Sequence, residues 1–248
     1  MDARLYPEYA DDWDNKRFRQ YILQRLDRTS SILDFGAGRG ALQEMNFKGC
    51  ARFVAGVDTD PAVQENPFLD ESRTLLRPDG SIPYQDDTFD LVLANNVLEH
   101  VQQPEGCFRE LYRVLKPRGV FVGKTPNIRH YIGALARVTP HRFHEFVNEK
   151  RGRRRKGTFA TAYKCNSPQR IAECATSSGF EVEHIDMWEG RPEYLRFSAL
   201  TYLGGFLYER TVNRFKTFST FRSVIVFTLR KGKGGSGPVP LISTSRDR

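Results

Sequence analysis

Ile32-Leu33-Asp34-Phe35-Gly36-Ala37-Gly38-Arg39-Gly40 is a short apolar run that ends in three glycines at alternate positions. Such a stretch lets a strand turn sharply while its backbone approaches a ligand more closely than any Cβ would permit. The ligand contact is therefore largely main chain. A second apolar run, Phe53 to Val57, ends in Asp58. That is near the spacing of roughly 20 residues at which a carboxylate on the next strand tip accepts from both hydroxyls of an unmodified ribose. Together they predict a nucleoside site on a parallel sheet. Dinucleotide folds read G-x-G-x-x-G, whereas this chain has Asp34 two residues before the first glycine. An acid there suits a cationic group more than a pyrophosphate.

Outward from this stretch, residues 5 to 27 begin with Tyr6, Tyr9 and Trp13 and read as a helix with Phe18, Tyr21, Ile22 and Leu26 at helical intervals. A modest helix is expected from Ala41 and a third strand at Leu75-Leu76. Leu91-Val92-Leu93-Ala94, ending in Asn95-Asn96, reads as a central strand buried on both faces. Pro104 opens a helix bearing Phe108, Leu111, Val114 and Leu115, stopped by Lys116-Pro117-Arg118-Gly119, and Val120 to Gly123 supplies the next strand. Composition changes after Asn127, so 128–160 reads as an inserted cap carrying the basic cluster Lys150, Arg151, Arg153, Arg154, Arg155 and Lys156. A helix from Ser167-Pro168 to a C-cap at Gly179 follows, then strands at Glu181 to Trp188 and Ser223 to Leu229. Residues 190–219 form a second cap between them, because the segment is too long for a turn. The division is one domain over 1–231 and a disordered tail, 232–248, rich in Gly, Ser and Pro.

The 248 residues are 39% hydrophobic and 12% aromatic, enough for a sizeable core, and their 27% of charged residues exclude neither a soluble surface nor a compact fold. No run approaches the 18 or so apolar residues of a spanning helix. Asp2, Glu8, Asp11 and Asp12 stand where a secretory signal would be basic and then apolar, so a cytoplasmic location is expected. Cys50, Cys107, Cys165 and Cys174 form no C-x-x-C pair and read as thiols in a reducing compartment, with no metal site expected. A net charge of +8 implies attraction to polyanions.

Further words accompany the glycine stretch: Ile82-Pro83-Tyr84 before Thr88-Phe89-Asp90, then Leu98-Glu99-His100-Val101, Leu115-Lys116-Pro117-Arg118-Gly119 and Thr125-Pro126-Asn127. With these the chain resembles the class I methyltransferases that use S-adenosylmethionine, in the branch that includes the ubiquinone and menaquinone enzymes. The likeness spans about residues 5 to 127 and resumes in outline at 167 to 230. It implies an α/β, Rossmann-like, doubly wound sheet of seven mostly parallel strands with a C-terminal antiparallel strand, plus inserted caps. It puts the methionine end of the cofactor at Asp34, Gly36, Gly38 and Gly40, the ribose at Asp58, the adenine at Asp79 and Gly80, and the methyl region near Asn95.

Methyl transfer from a sulfonium is an in-line displacement with a neutral leaving group, so alignment and dryness carry most of the catalysis. A hydroxyl acceptor also needs a base, usually His. The candidates are His141 and His144 in Pro140-His141-Arg142-Phe143-His144-Glu145, His100 after the fourth strand, and Tyr131 as a hydrogen-bonding partner. Glu189 to Tyr194 is expected to line the acceptor pocket. The leading expectation is O-methylation of a small-molecule, sugar or lipid-linked acceptor, acidic ones included. Its rivals are a nucleic-acid methyltransferase using residues 150–156 and a non-catalytic cofactor binder. The basic cluster has no interleaved aromatics, which disfavours nucleic acid. Residues 195–215, apolar and then basic, leave peripheral membrane contact open.

Overall fold

The computed structural model describes residues 5–6, 12–75, 80–131, 161–192, 195 and 198–233. Helix α1 (Trp13–Leu23) leads into strand β1 (Ser31–Phe35), followed by β2 (Phe53–Asp58), β3 (Glu71–Thr74) and β4 (Phe89–Asn95). Helix α2 (Pro104–Val114), strand β5 (Leu115–Pro126), helix α3 (Pro168–Ser177), strand β6 (Phe180–Trp188), helix α4 (Ala199–Arg214) and strand β7 (Val224–Lys231) complete it.

The strands form one sheet in the order β3-β2-β1-β4-β5-β7-β6. The first five run parallel, and β7 pairs antiparallel with both β5 and β6. This is the Rossmann-like methyltransferase architecture expected from the sequence. Because β6 runs in the same direction as β5, the carboxyl ends of β1, β2, β4, β5 and β6 and the start of β7 share one rim. Open α/β sheets bind ligands at that rim.

Alternation along β4 splits the core. Leu91 and Leu93 pack with Phe18, Ile22 and Phe47 on one face, while Val92 and Ala94 pack with Phe108, Leu111 and Phe121 on the other. Helix α2 starts with Pro104 at its first turn and buries Phe108, Leu111 and Val114, as its period predicts. Helix α3 is capped by the Ser167 side chain, which accepts from the Arg170 N–H at 3.3 Å, and Gly179 follows at φ +91°.

Two expectations fail. No α-helix starts at Ala41: a single 3-10 turn, Gln43–Met45, joins β1 to β2. The Arg19 guanidinium takes the Glu44 and Asn46 carbonyls, at 2.9 and 2.5 Å, that a continuing helix would use itself. The third strand is Glu71–Thr74 rather than Leu75-Leu76. It is an edge strand, so burial does not demand an apolar sequence there. The first cap lies mostly outside the described residues, as does the tail beyond 233. Of the thiols, Cys165 and Cys174 are buried and Cys50 and Cys107 half-buried, all unpaired.

Candidate active site

At the end of β1 the chain turns through Gly36, Gly38 and Gly40, all at positive φ (+80°, +52° and +77°). The glycines do different things. A Cβ on Gly36 would meet Val97 Cγ2 at 2.3 Å and one on Gly40 would meet Asn66 Oδ1 at 2.4 Å, so these two are packed from within. Nothing lies within 4 Å of a Cβ on Gly38. Gly38 therefore presents bare backbone to open space at the rim.

Asp58 fastens this loop: its Oδ2 accepts the Gly38 N–H at 2.9 Å and its Oδ1 the Asp60 N–H at 2.8 Å. Each carboxylate oxygen has a second lone pair for a ribose hydroxyl. Asn66 braces the loop from below, its Nδ2 donating to the carbonyls of Ala37 (3.0 Å) and Gly38 (3.1 Å) while its Oδ1 accepts from the Phe68 N–H. No sequence motif pointed to Asn66.

Asp34 is buried, and burial, with the nearby Asp58 carboxylate, pushes its carboxyl up to about 7. No cation pairs with it among the described residues. A buried carboxylate is stable only when paired and hydrogen-bonded. The ammonium or sulfonium of S-adenosylmethionine is a cation of the required kind, and bare backbone at Gly38 leaves room for it. The residues present therefore fit this cofactor.

Next along the rim, Asn95 Nδ2 donates to Asn15 Oδ1 at 3.2 Å, and its own Oδ1 is buried without a donor. Asn15 Oδ1 also accepts from Lys124 Nζ, which is fully buried on β5 and pairs with Asp14 at 2.5 Å. Helix α1 is thereby tied to the ends of β4 and β5. Glu99 and Thr125, from two of the motifs read in the sequence, hydrogen-bond each other at 3.1 Å. Burial raises Glu99.

Beyond β5 the rim is built from side chains. The Asn127 amide donates to the Thr220 and Arg222 carbonyls, holding β5 to the start of β7. His130 Nε2 lies 3.5 Å from Glu189 Oε2, and both residues are buried. Glu189 also accepts from the Ser223 N–H (2.8 Å) and Oγ (3.0 Å). The His130 ring centre lies 4.1 Å from that of Tyr131, tilted by 44°, and 5.4 Å from that of Tyr208, which meets it edge to face. Burial lowers His130 to about 3 and raises Glu189 to about 8, so at neutral pH both stand uncharged.

Of the residues named from the sequence, Asp34, Gly36, Gly38, Gly40, Asp58 and Asn95 come together on the rim. Gly80 is present at φ +71°, while Asp79 lies outside the described residues. His141, His144 and the basic cluster 150–156 also lie outside them. His100 ends the 3-10 turn Leu98–His100 and is half-buried. Tyr131 and Glu189 join the cluster around His130, which sequence reading passed over. Among the described residues no three His, Cys, Asp or Glu side chains are grouped to hold a metal. No helix among them is long and apolar enough to cross a membrane.

Residues 6–185 match the family described as a methyltransferase domain. The chain belongs to that family. The cofactor of this family is accordingly S-adenosylmethionine. An uncharacterized methyltransferase of Mycobacterium leprae (strain Br4923) is 29% identical over 175 residues, which cover 64% of this chain and 62% of that protein. The match thus spans under two thirds of that relative. Among solved structures, an S-adenosylmethionine-dependent methyltransferase from Mesorhizobium loti superposes with a TM-score of 0.55 at 15% identity, covering 90% of this chain and 98% of the other. The 4+2 cyclase SpnF superposes with a TM-score of 0.57 at 17% identity, covering 92% and 86%. At these identities the structures speak for the fold alone.

Proposed function

We propose that this chain transfers the methyl group of S-adenosylmethionine to a hydroxyl of a small-molecule, sugar or lipid-linked acceptor seated against His130, Tyr131, Tyr208 and Glu189. The observation that carries the methyl-donor half is the buried Asp34, paired with no cation among the described residues, near Asp58, whose carboxylate holds the open backbone of Gly38. When bound, the cofactor supplies an electrophilic methyl group on a neutral leaving thioether.

The chain's own residues do the rest. Asp34 offers a carboxylate to the donor's positive end, Asp58 offers acceptor lone pairs to its ribose, and the unpartnered Asn95 Oδ1 accepts one further hydrogen bond. Burial keeps His130 neutral and also weakens it as a base, so it takes up a proton when Glu189 is ionised beside it. Its Nε2 faces Glu189, which leaves Nδ1 for the acceptor hydroxyl, and ionisation of Glu189 favours the imidazolium that results. Tyr131 and Tyr208 flank the buried ring, one tilted against it and one nearly at right angles.

The test is methyl transfer from label-bearing S-adenosylmethionine to a panel of hydroxylated acceptors, run on wild type and His130→Asn. Label in an O-methyl product, lost in the variant, is expected. Cofactor binding with no transfer to any acceptor class would favour a non-catalytic binder. Transfer to RNA or DNA alone would favour the nucleic-acid reading.

A further inference from the structure

Helix α4 is apolar on the side that faces solvent. Its inner face buries Tyr202, Gly205, Glu209 and Val212, while Leu200, Leu203 and Leu207 form a row on the opposite side with 80%, 53% and 57% of their surface exposed. Residues spaced by three and four in a helix share one face. Past the helix end Phe215 is exposed too, as are Phe218 and Phe221 in the 3-10 turn Lys216–Phe221 that follows. A surface helix normally places such residues inward, and apolar residues gathered this way mark an interaction site.

The charges beside the row identify what would cover it. Between residues 198 and 222 the one carboxylate is Glu209, which is buried, hydrogen-bonded by Tyr6 and Asn213, and close to Arg210. The exposed charges are all positive: Arg210, Arg214 and Lys216. A second copy of the same face would set leucines against leucines but offer these cations no exposed carboxylate. An anionic surface with an apolar interior matches both the cations and the leucines.

We infer that the outer face of α4 and the turn after it, Leu200, Leu203, Leu207, Phe215 and Phe218 with Arg214 and Lys216, docks on an anionic lipid bilayer. Helices of this kind lie in the membrane interface, with apolar side chains at the headgroup boundary and basic residues toward acidic lipid. The inner side of the same helix carries Tyr208, one wall of the His130 cluster. A bilayer-borne acceptor would therefore reach the rim at the membrane boundary. That extension rests on the proposed function, whereas the docking does not.

Vesicle flotation of the full chain, without cofactor or acceptor, tests the docking and needs no turnover. Flotation is expected with phosphatidylcholine vesicles containing phosphatidylglycerol, with much less on pure phosphatidylcholine and weakening in high salt. Arg214→Gln with Lys216→Gln should reduce partitioning about 25-fold, at about fivefold per cation. Leu203→Ser with Leu207→Ser should reduce it by at least about tenfold, with a melting temperature only slightly lowered, because each side chain is more than half exposed and serine is a weaker helix former than leucine. Three results would overturn the inference: no flotation with anionic vesicles, flotation indifferent to the leucine pair, or a melting temperature lowered by many degrees by that pair, as fully buried leucines would give, which would show the chain itself covering the row. Sedimentation supplies a fourth, a concentration-dependent dimer abolished by Leu203→Ser with Leu207→Ser, which would make a second copy the occupant.

Discussion

Over β1, β2 and β4 the rim offers a ligand exposed backbone at Gly38 and side-chain groups from Asp34, Asp58 and Asn95, all close to strand ends. Over β5, β7 and β6 it offers side chains brought in from His130, Glu189, Tyr208 and Ser223, spread along almost a hundred residues of chain. The first half is built to meet one ligand through main chain, and its charge is incomplete without a cation. The second half is internally satisfied: His130 and Glu189 face each other and are neutral. Under the proposed function, a rim assembled this way would let one half stay fixed to the cofactor while the other changes with the acceptor.

The sharpest way to separate the halves is to damage one and measure both. His130→Ala is expected to lower kcat by about 10²–10⁴-fold, the usual worth of a positioned base, while the dissociation constant for S-adenosylmethionine stays unchanged. A matching loss of cofactor affinity would merge the two halves into one. In wild type, turnover should rise with pH up to about 8 as Glu189 ionises, and Glu189→Gln should flatten that rise in a pH profile.

Asp34→Asn probes the opposite half and is expected to weaken the cofactor on the order of 10–100-fold, as loss of a charge-assisted contact does. It should also stabilise the empty protein. The folded-state pKa of Asp34, about 7, is above the ordinary value of 3.8, so the ionised form opposes folding. Stability therefore falls as pH rises from about 4 through 7, and the cost persists above 7. At pH 8 the variant should gain on the order of 2–4 kcal/mol in denaturant unfolding. In wild type, cofactor affinity should increase between about pH 5 and 7 and then level off. A melting temperature at pH 8 that drops in Asp34→Asn would contradict this account of the site's charge.

Asn66→Ala should have the smallest effect. It removes two donors to the glycine loop and should cost about 1–3 kcal/mol in stability, with a several-fold loss of cofactor affinity and no change in the acceptor KM.

The contrast between the halves also explains what was legible in the sequence. Gly36, Gly38 and Gly40 stand out because all three take positive φ and, at Gly36 and Gly40, packing leaves no room for a Cβ, and Asp58 because it ends an apolar run at a fixed distance. Helices α2 and α3 announce themselves through Pro104, Ser167-Pro168 and Gly179, residues with few other uses in those positions. Asn66 does not, since an asparagine in a loop reads as a turn former, and its bonds to the Ala37 and Gly38 carbonyls depend on tertiary approach. The turn at Gln43–Met45 was misread as a helix because the residue that captures its carbonyls, Arg19, lies in α1. His130 was passed over because burial and its partner Glu189, at the end of β6, are both set by the sheet order. Tyr131 and Glu189 were named for their places in the chain, but what joins them is the rim.

The central claim is that the open backbone at Gly38 is where S-adenosylmethionine sits, and calorimetric titration of wild type and Gly38→Val with that cofactor at pH 8 tests it most directly. Wild type is expected to bind. In Gly38→Val, where the added Cβ meets no protein atom within 4 Å and the side chain extends into the space at the rim, affinity should fall at least about 100-fold, beyond the strain of a β-branched residue at positive φ. Equal affinity in the two proteins, or no binding by wild type, would contradict the claim.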